Sequence, residues 1–253
     1  MISAEILRIV EEIVIALFLI YAAYSDYKTR IIEDKVWGLM LLVLAPVTLY
    51  LLFSAYEYLI ATYIASLVVS IMLGIFVGLT KLTGGADVKA IMVMGAIVIP
   101  RGLNPLLIPS LTIVLNGVVF SLLTIAYVMF RNISMYIKFG KLFEEELPLT
   151  TKIVLLFTAY KERVSNVASH PHKYFIVELR EQGSKRYRLA LLSVEEETSE
   201  VIKNLLSQGV KESDWLWVSP SIPLIVYILL GYIYYISIGN ILEPLLRFLI
   251  KVT

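Results

Sequence analysis

The chain contains no cysteine. Disulfide staples, a cysteine zinc site and a thiol nucleophile are therefore excluded, and the redox compartment stays open. Histidine is nearly as scarce. His170 and His172 share one polar loop, and two imidazoles without further ligands read as ordinary surface rather than as a metal centre. No excess of one charge exists: the net charge is +1, so nothing points to nucleic acid as a partner. Internal repeats and low-complexity tracts are missing too. The first apolar run lacks the marks of a secretory signal. Glu5, Glu11 and Glu12 crowd its flank beside Arg8, and no small-residue cleavage pattern follows.

What the chain has instead is apolar residues in long runs. Of its 253 residues 58% are hydrophobic, and the mean hydropathy is +0.80. A soluble domain of this size is about 45–50% apolar, so the runs imply a polytopic membrane protein. Spans are expected at 6–25, 36–53, 58–79, 106–130 and 224–238, with a shorter fourth segment at 88–99. The first has an acidic start and a basic exit at Lys28 and Arg30, which places the N-terminus outside by the positive-inside rule. Lys35, Lys81, Arg131, Lys138 and Lys141 then mark the cytoplasmic side, and the outer turn 54–57 carries no basic residue. Arg101 in the second outer turn is the exception to this pattern. The segment 88–99 is too short to cross a bilayer alone, which takes about 20 residues. Such a helix is tolerated where protein buries it or where it lines a wet cavity.

From residue 131 to about 218 charge rises sharply. Ile153–Tyr160 is too short to span and is expected in a helix packed on a domain or membrane surface. Tyr174–Leu179 and Tyr187–Val194 read as the strands of a hairpin around Glu181-Gln182-Gly183-Ser184. Glu195–Ser207 reads as a helix closed near Gly209, its leading glutamates suiting the helix dipole. Trp215–Val218 reads as a further strand, and the tail Ile241–Ile250 as an interfacial helix. The expected fold is an all-α integral membrane bundle of six transmembrane helices, with a small α+β cytoplasmic domain inserted between helices 5 and 6. Its domains are 1–130 (helices 1–5), 131–218 (the cytoplasmic domain) and 219–253 (helix 6 and tail), with both termini outside.

Two acids stand out. Asp26 follows the first span, and Asp87 precedes the fourth segment behind Gly84, Gly85 and Ala86, at the same expected membrane face. Acids at a membrane edge are functional candidates by default. Two carboxylates about 3 Å apart cannot both ionise, so they share a proton and their pKa values split. The ionised one then takes a proton from water attacking a peptide carbonyl, and the protonated one donates to the carbonyl oxygen. They titrate as a pair, so neither takes a fixed role. Gly84 and Gly85 would give the loop backbone conformations closed to other residues and let a substrate strand come close. Simpler readings exist: Asp87 suits a helix cap, and Asp26 an interfacial residue balancing Lys28 or Arg30.

Asp26 with Tyr27-Lys28-Thr29-Arg30-Ile31-Ile32-Glu33-Asp34 after it, then Gly84-Gly85-Ala86-Asp87-Val88-Lys89, resembles the archaeal preflagellin and type IV prepilin peptidases, membrane aspartyl proteases of the GxGD class. The resemblance covers the whole chain, including Trp217-Val218-Ser219-Pro220-Ser221-Ile222-Pro223-Leu224 before the last span. It departs at Ala86, where the family usually has glycine, and this puts the loop conformation in question. The resemblance implies catalytic Asp26 and Asp87, no metal and no cofactor. It implies a multi-pass protein of the cell membrane that cuts a short basic leader from archaellin or pilin-like precursors at the cytoplasmic face. Bacterial relatives also methylate the new N-terminus and carry a cysteine-rich insert. With no cysteine here, methylation is not expected.

Glu33 and Asp34 would attract such a leader by complementary charge, or form a hydrated loop balancing Lys28, Arg30 and Lys35. Lys89 would tune the pair or mark the interface. Two rivals remain. A presenilin-like intramembrane protease needs about nine spans and a downstream Pro-Ala-Leu motif, which the chain lacks. A proton or ion transporter with paired acids would place them near the bilayer midplane.

Overall fold

The computed structural model describes residues 3–80, 84–101, 108–143, 146–181, 184–187, 198–221 and 223–244. The chain forms two compact units: Met1–Ser121 with Pro223–Thr253, and Leu122–Ile222.

The first unit is helical. Its described helices are α1 (Ala4–Thr29), α2 (Asp34–Ser54), α3 (Ile60–Thr80), α4 (Gly85–Ile97), the first part of α5 (Pro109–Phe139) and, after the second unit, α9 (Leu224–Ser237). Among the described residues three helical segments are long and apolar enough to cross a membrane: Asp34–Ser54, Glu57–Leu79 and Pro109–Phe139. α1 has 26 residues, and its charges lie in the first third and the last turn, leaving an uncharged run over 13–25. Large apolar side chains stay exposed along these helices, among them Ile13, Leu17, Ile20, Leu42, Phe53, Met72, Phe76 and Leu122. A surface of this kind suits lipid rather than water.

α1 packs against α2 and α9, and α4 packs against α2 and α3. The core is built from Ile15, Leu19, Ala22 and Ala23 of α1, Trp37, Met40 and Leu44 of α2, Ala90, Val93, Met94 and Ile97 of α4, and Ile225, Ile228, Tyr232 and Tyr235 of α9. α4 is thus a short helix walled in by others. Its end inside the bundle leaves backbone carbonyls that need partners. Tyr63 of α3 donates its hydroxyl to Ala96 O at 2.6 Å. Thr48 of α2 lies 3.2 Å from Ile97 O and also contacts the buried carboxyl of Glu11.

α5 and α9 meet backbone to backbone. A Cβ on Gly117 would lie 2.8 Å from Tyr227 O, and one on Gly231 would overlap Ile113 O. Asn116 closes this crossing, donating to Gly231 O (3.3 Å) and Gly239 O (2.9 Å) and accepting from Ile241 N (2.9 Å). Among lipid tails no hydrophobic driving force joins helices, so close packing and such hydrogen bonds must do so.

The second unit opens with the rest of α5 and contains α6 (Leu149–Thr158), β1 (Tyr160–Arg163), α7 (Val164–Ser169), β2 (Tyr174–Ile176), β3 (Glu178–Glu181), β4 (Ser184–Tyr187), α8 (Thr198–Ser207) and β5 (Trp215–Pro220). β5 lies between β1 and β2, antiparallel to both, with Val218 opposite Tyr160 and Ile176. Its alternation sorts two cores. Leu216 and Val218 join Val128, Val164, Val167, Ile202 and Leu205. Trp217 turns to Leu155, Ala159 and Val177 and stacks on Phe143 at 5.1 Å.

Three expectations change here. The segment read as one strand, Tyr174–Leu179, breaks at Val177: β2 pairs with β5, whereas β3 pairs with β4, with Glu181 opposite Ser184. Val177 N–H still reaches β5, donating to Trp217 O at 2.9 Å. Ser184–Tyr187 pairs with β3, so the strand begins inside the turn expected at Glu181–Ser184, and of the strand expected at Tyr187–Val194 only Tyr187 is described. The helix expected at Ile153–Tyr160 runs instead from Leu149 to Thr158, and Tyr160 opens β1. Lys81, Leu82, Thr83, Leu106, Gln182, Gly183, residues 188–194, Glu195, Glu196, Glu197, Ile222 and the tail from 245 lie outside the described residues.

Candidate active site

Three helix ends bring the expected site residues together. Asp26 sits in the last turn of α1, one residue beyond the apolar run. The residue is buried, 9% exposed. Oδ2 accepts the backbone N–H of Ile225 at 3.2 Å, and Oδ1 lies 3.6 Å from Arg30 Nη1. Ile225 is in the first turn of α9, where backbone N–H groups lack helical partners and partial positive charge favours an anion. Burial raises the Asp26 pKa, while Arg30 and the Ile225 N–H oppose it.

Asp87 falls in the first turn of α4, not in a loop before it as expected: α4 starts at Gly85. Its Oδ2 accepts the N–H of Gly84 at 3.0 Å, the reach-back half of a capping box. A carboxylate at this place helps start the helix, which explains the earlier boundary. Burial and the charge of Asp26 push Asp87 up to about 6. The two acids therefore lie within reach of each other's fields, and Arg30 feels both.

The glycines behave differently from expectation. Gly84 has φ −70 and ψ 157, extended backbone open to any residue. A Cβ on Gly85 would meet nothing within 4 Å, and one on Gly84 only Asp87 Oδ2 at 3.7 Å. Neither holds a conformation reserved for glycine. Ala86, the departure from the family pattern, is a helical residue packed against the core, where alanine is favoured over glycine.

Asp34 is engaged by Lys89 of α4, and Glu33 lies 3.8 Å from Lys35. Both acids are well exposed, so these pairs contribute little to stability. His170 and His172 have ring centroids 6.5 Å apart, and no group of three metal-ligating side chains forms among the described residues.

The sequence reading missed the Ile225 N–H, although Pro223 before an apolar run marks a helix start with free N–H groups. It weighed Arg30 as a basic exit, as part of the string that resembles the family and as a neutralising charge, but not as a side chain folded onto Asp26.

A family model, "Type IV leader peptidase family", matches residues 13–133, and a second, "Archaeal Peptidase A24 C-terminus Type II", matches 151–241. The chain is 30% identical over 250 residues to the preflagellin peptidase of Methanocaldococcus jannaschii, covering 90% of this chain and 93% of that protein. The chain belongs to the type IV leader peptidase family. Similarity extends to the preflagellin peptidases of Methanococcus voltae (27% identity, 85% of this chain and 89% of that protein) and Methanococcus maripaludis (28%, 94% and 100%). As a type IV leader peptidase family member the chain is a protease. Asp26, Arg30, Gly84 and Asp87 all fall in the leader peptidase match, while Ile225, which holds Asp26, falls in the C-terminal one.

Proposed function

We propose that this protein is a membrane-embedded aspartyl endopeptidase that removes the short basic leader of preflagellin and type IV pilin-like precursors. Asp26 and Asp87 are its catalytic pair, working at the cytoplasmic face of a six-span bundle. Both termini lie outside. Residues 1–130 supply helices 1–5, 131–218 a cytoplasmic domain, and 219–253 helix 6 and its tail. Gly84 and Gly85 leave an open surface beside Asp87 for an extended substrate, and Glu33 with Asp34 attracts the leader's positive charge.

One observation carries the reading: a buried Asp26 and a half-buried Asp87 from distant parts of the chain, the second raised by the charge of the first, in a chain whose relatives are preflagellin peptidases. Buried, mutually repelling carboxyls are the arrangement that keeps one protonated near neutral pH, as water-activated peptide hydrolysis requires.

The test is cleavage of a preflagellin precursor by the purified protein in detergent, read by mass. The intact protein should cut once, before the precursor's hydrophobic segment. Asp26→Asn and Asp87→Asn should each lose more than about 10³-fold in kcat/KM while eluting as folded protein. A fully active Asp87→Asn protein overturns the proposal.

A further inference from the structure

The two acids are not held alike. Asp26 is engaged from two sides, by the Ile225 N–H at the head of α9 and by the Arg30 guanidinium. Asp87 takes its hydrogen bond from its own helix, through Gly84 N–H.

Arg30 is also the only non-glycine residue with positive φ among the described residues, at φ 59 and ψ 15. It caps α1 in the left-handed conformation, a position that normally falls to glycine or asparagine. The turn is well secured without its side chain. Arg30 N–H donates to Asp26 O at 3.1 Å, Ser25 Oγ donates to Ile31 O at 2.7 Å, and Ile32 is buried in the core. The backbone calls for glycine. What arginine adds is a guanidinium folded back onto Asp26, and a strained residue at such a place points to function.

We propose that Arg30 is the positioning residue that breaks the symmetry of the pair: with the Ile225 N–H, it holds Asp26 as the carboxylate that takes the proton from water and leaves Asp87 as the acid that donates to the scissile carbonyl. This rests on the aspartyl reading above. Water gives one proton to Asp26 while its oxygen bonds to the carbonyl carbon, and the Asp87 proton passes to the carbonyl oxygen. The product is a neutral gem-diol. Asp26 then returns its proton to the nitrogen as the C–N bond breaks, and one gem-diol hydroxyl gives its proton to Asp87. One water is consumed, a carboxyl and an amine form, and both acids are restored.

The other charged groups nearby fit this division. From α4, Asp87 feels the charge of Asp26. From α9, Tyr227 acts on Arg30. On α1 itself, Lys28 turns to the Tyr24 ring. At the start of α2, Glu33, Asp34 and Lys35 are engaged with one another or with Lys89. Arg30 is thus the cation paired with Asp26.

The experiment compares wild type, Arg30→Gly, Arg30→Lys, Asp26→Asn and Asp87→Asn in precursor cleavage from about pH 4 to about pH 9. Glycine suits the left-handed cap, so Arg30→Gly should melt at or above the wild-type temperature. Its acid limb in kcat/KM should move up by about one pH unit or more, with the alkaline limb moving less, because Asp26 loses a direct partner and Asp87 a distant one. Activity on the acid side should fall about tenfold. Arg30→Lys should restore most of the limb. An Arg30→Gly profile that superimposes on wild type, or one lowered without a shift, overturns the inference, and so does a lysine variant as displaced as the glycine one. If Asp26→Asn or Asp87→Asn cleaves like wild type, or wild type fails to cleave, the aspartyl reading itself falls. If both are inactive and only Arg30→Gly behaves as wild type, the role of Arg30 alone falls.

Discussion

Asp87 is pulled in two directions. As the third residue of α4 it closes the first turn by accepting Gly84 N–H, a placement that ordinarily stabilises a helix through its dipole. Yet burial and the charge of Asp26 raise it from 3.8 to about 6. These effects predict opposite outcomes when the charge is removed. Below about pH 4 the folded and unfolded chains both hold this proton, and the shift contributes nothing to stability. As pH climbs from about 4 to about 6 the folded chain keeps a proton that the unfolded chain has released. Stability is lost over that window, and the deficit is complete above it, on the order of 1–3 kcal/mol. Asp87→Asn retains an oxygen for Gly84 N–H and removes the charge. It should therefore raise the melting temperature near pH 7.5 and leave it unchanged at about pH 3, measured in the same detergent. Were Asp87 only a cap, the substitution would lower the melting temperature at the higher pH. Arg30 has the same character of strain kept for a partner, left-handed where glycine would rest more easily.

At the scale of elements, α4 shows why part of the site was legible in sequence and part was not. Its brevity, before Pro100, marked it as a helix that must be buried, and Ala90, Met94 and Ile97 are almost wholly enclosed. The partners that make such burial tolerable, Tyr63 and Thr48, come from distant helices and leave no local signal. Asp26 and Asp87 could be singled out because each stands at the edge of an apolar run on the same expected membrane face, in strings that resemble a family pattern. The Ile225 N–H that holds Asp26 lies 199 residues away and belongs to backbone, which residue type does not report. β1 was missed for a related reason: Tyr160-Lys161-Glu162-Arg163 carries no apolar alternation, and pairing with β5 makes it a strand. The crossing of α5 and α9 yields a test at this scale. A methyl on Gly231 would meet backbone at Ile113 and Gly117, and backbone cannot swing aside as a side chain can. Gly231→Ala should thus cost about 1–3 kcal/mol or more, seen as a lower melting temperature. Gly85→Ala, whose Cβ has open space, should leave the stability within about 0.5 kcal/mol of wild type. Equal stability of the two variants would mean the helices do not approach as described.

At the scale of the molecule, the proposed topology rests on charge and length. Among the described residues three helical segments qualify as spans by length and composition. α1 is long but acidic at its start, while α4 and α9 are short, with 13 and 14 residues. Short helices cross a bilayer only with protein around them, and the buried faces of α4 and α9 supply that surrounding. The absence of cysteine makes the arrangement directly measurable, since any introduced thiol is the only one. Lys35→Cys, Ala55→Cys and Ser134→Cys place single thiols at exposed positions by the start of α2, the end of α2 and the later part of α5. In intact cells an impermeant maleimide should label Ala55→Cys alone. In inverted vesicles Lys35→Cys and Ser134→Cys should react, and Ala55→Cys should be protected. Lys35 neighbours the Asp26 turn, so labelling of Lys35→Cys from outside would put the carboxyl pair on the wrong face for leader removal in the cytoplasm. Labelling of Ser134→Cys from outside would instead leave the pair in place and move 131–218 across the membrane. The two failures are separable, and each would correct a different part of the topology.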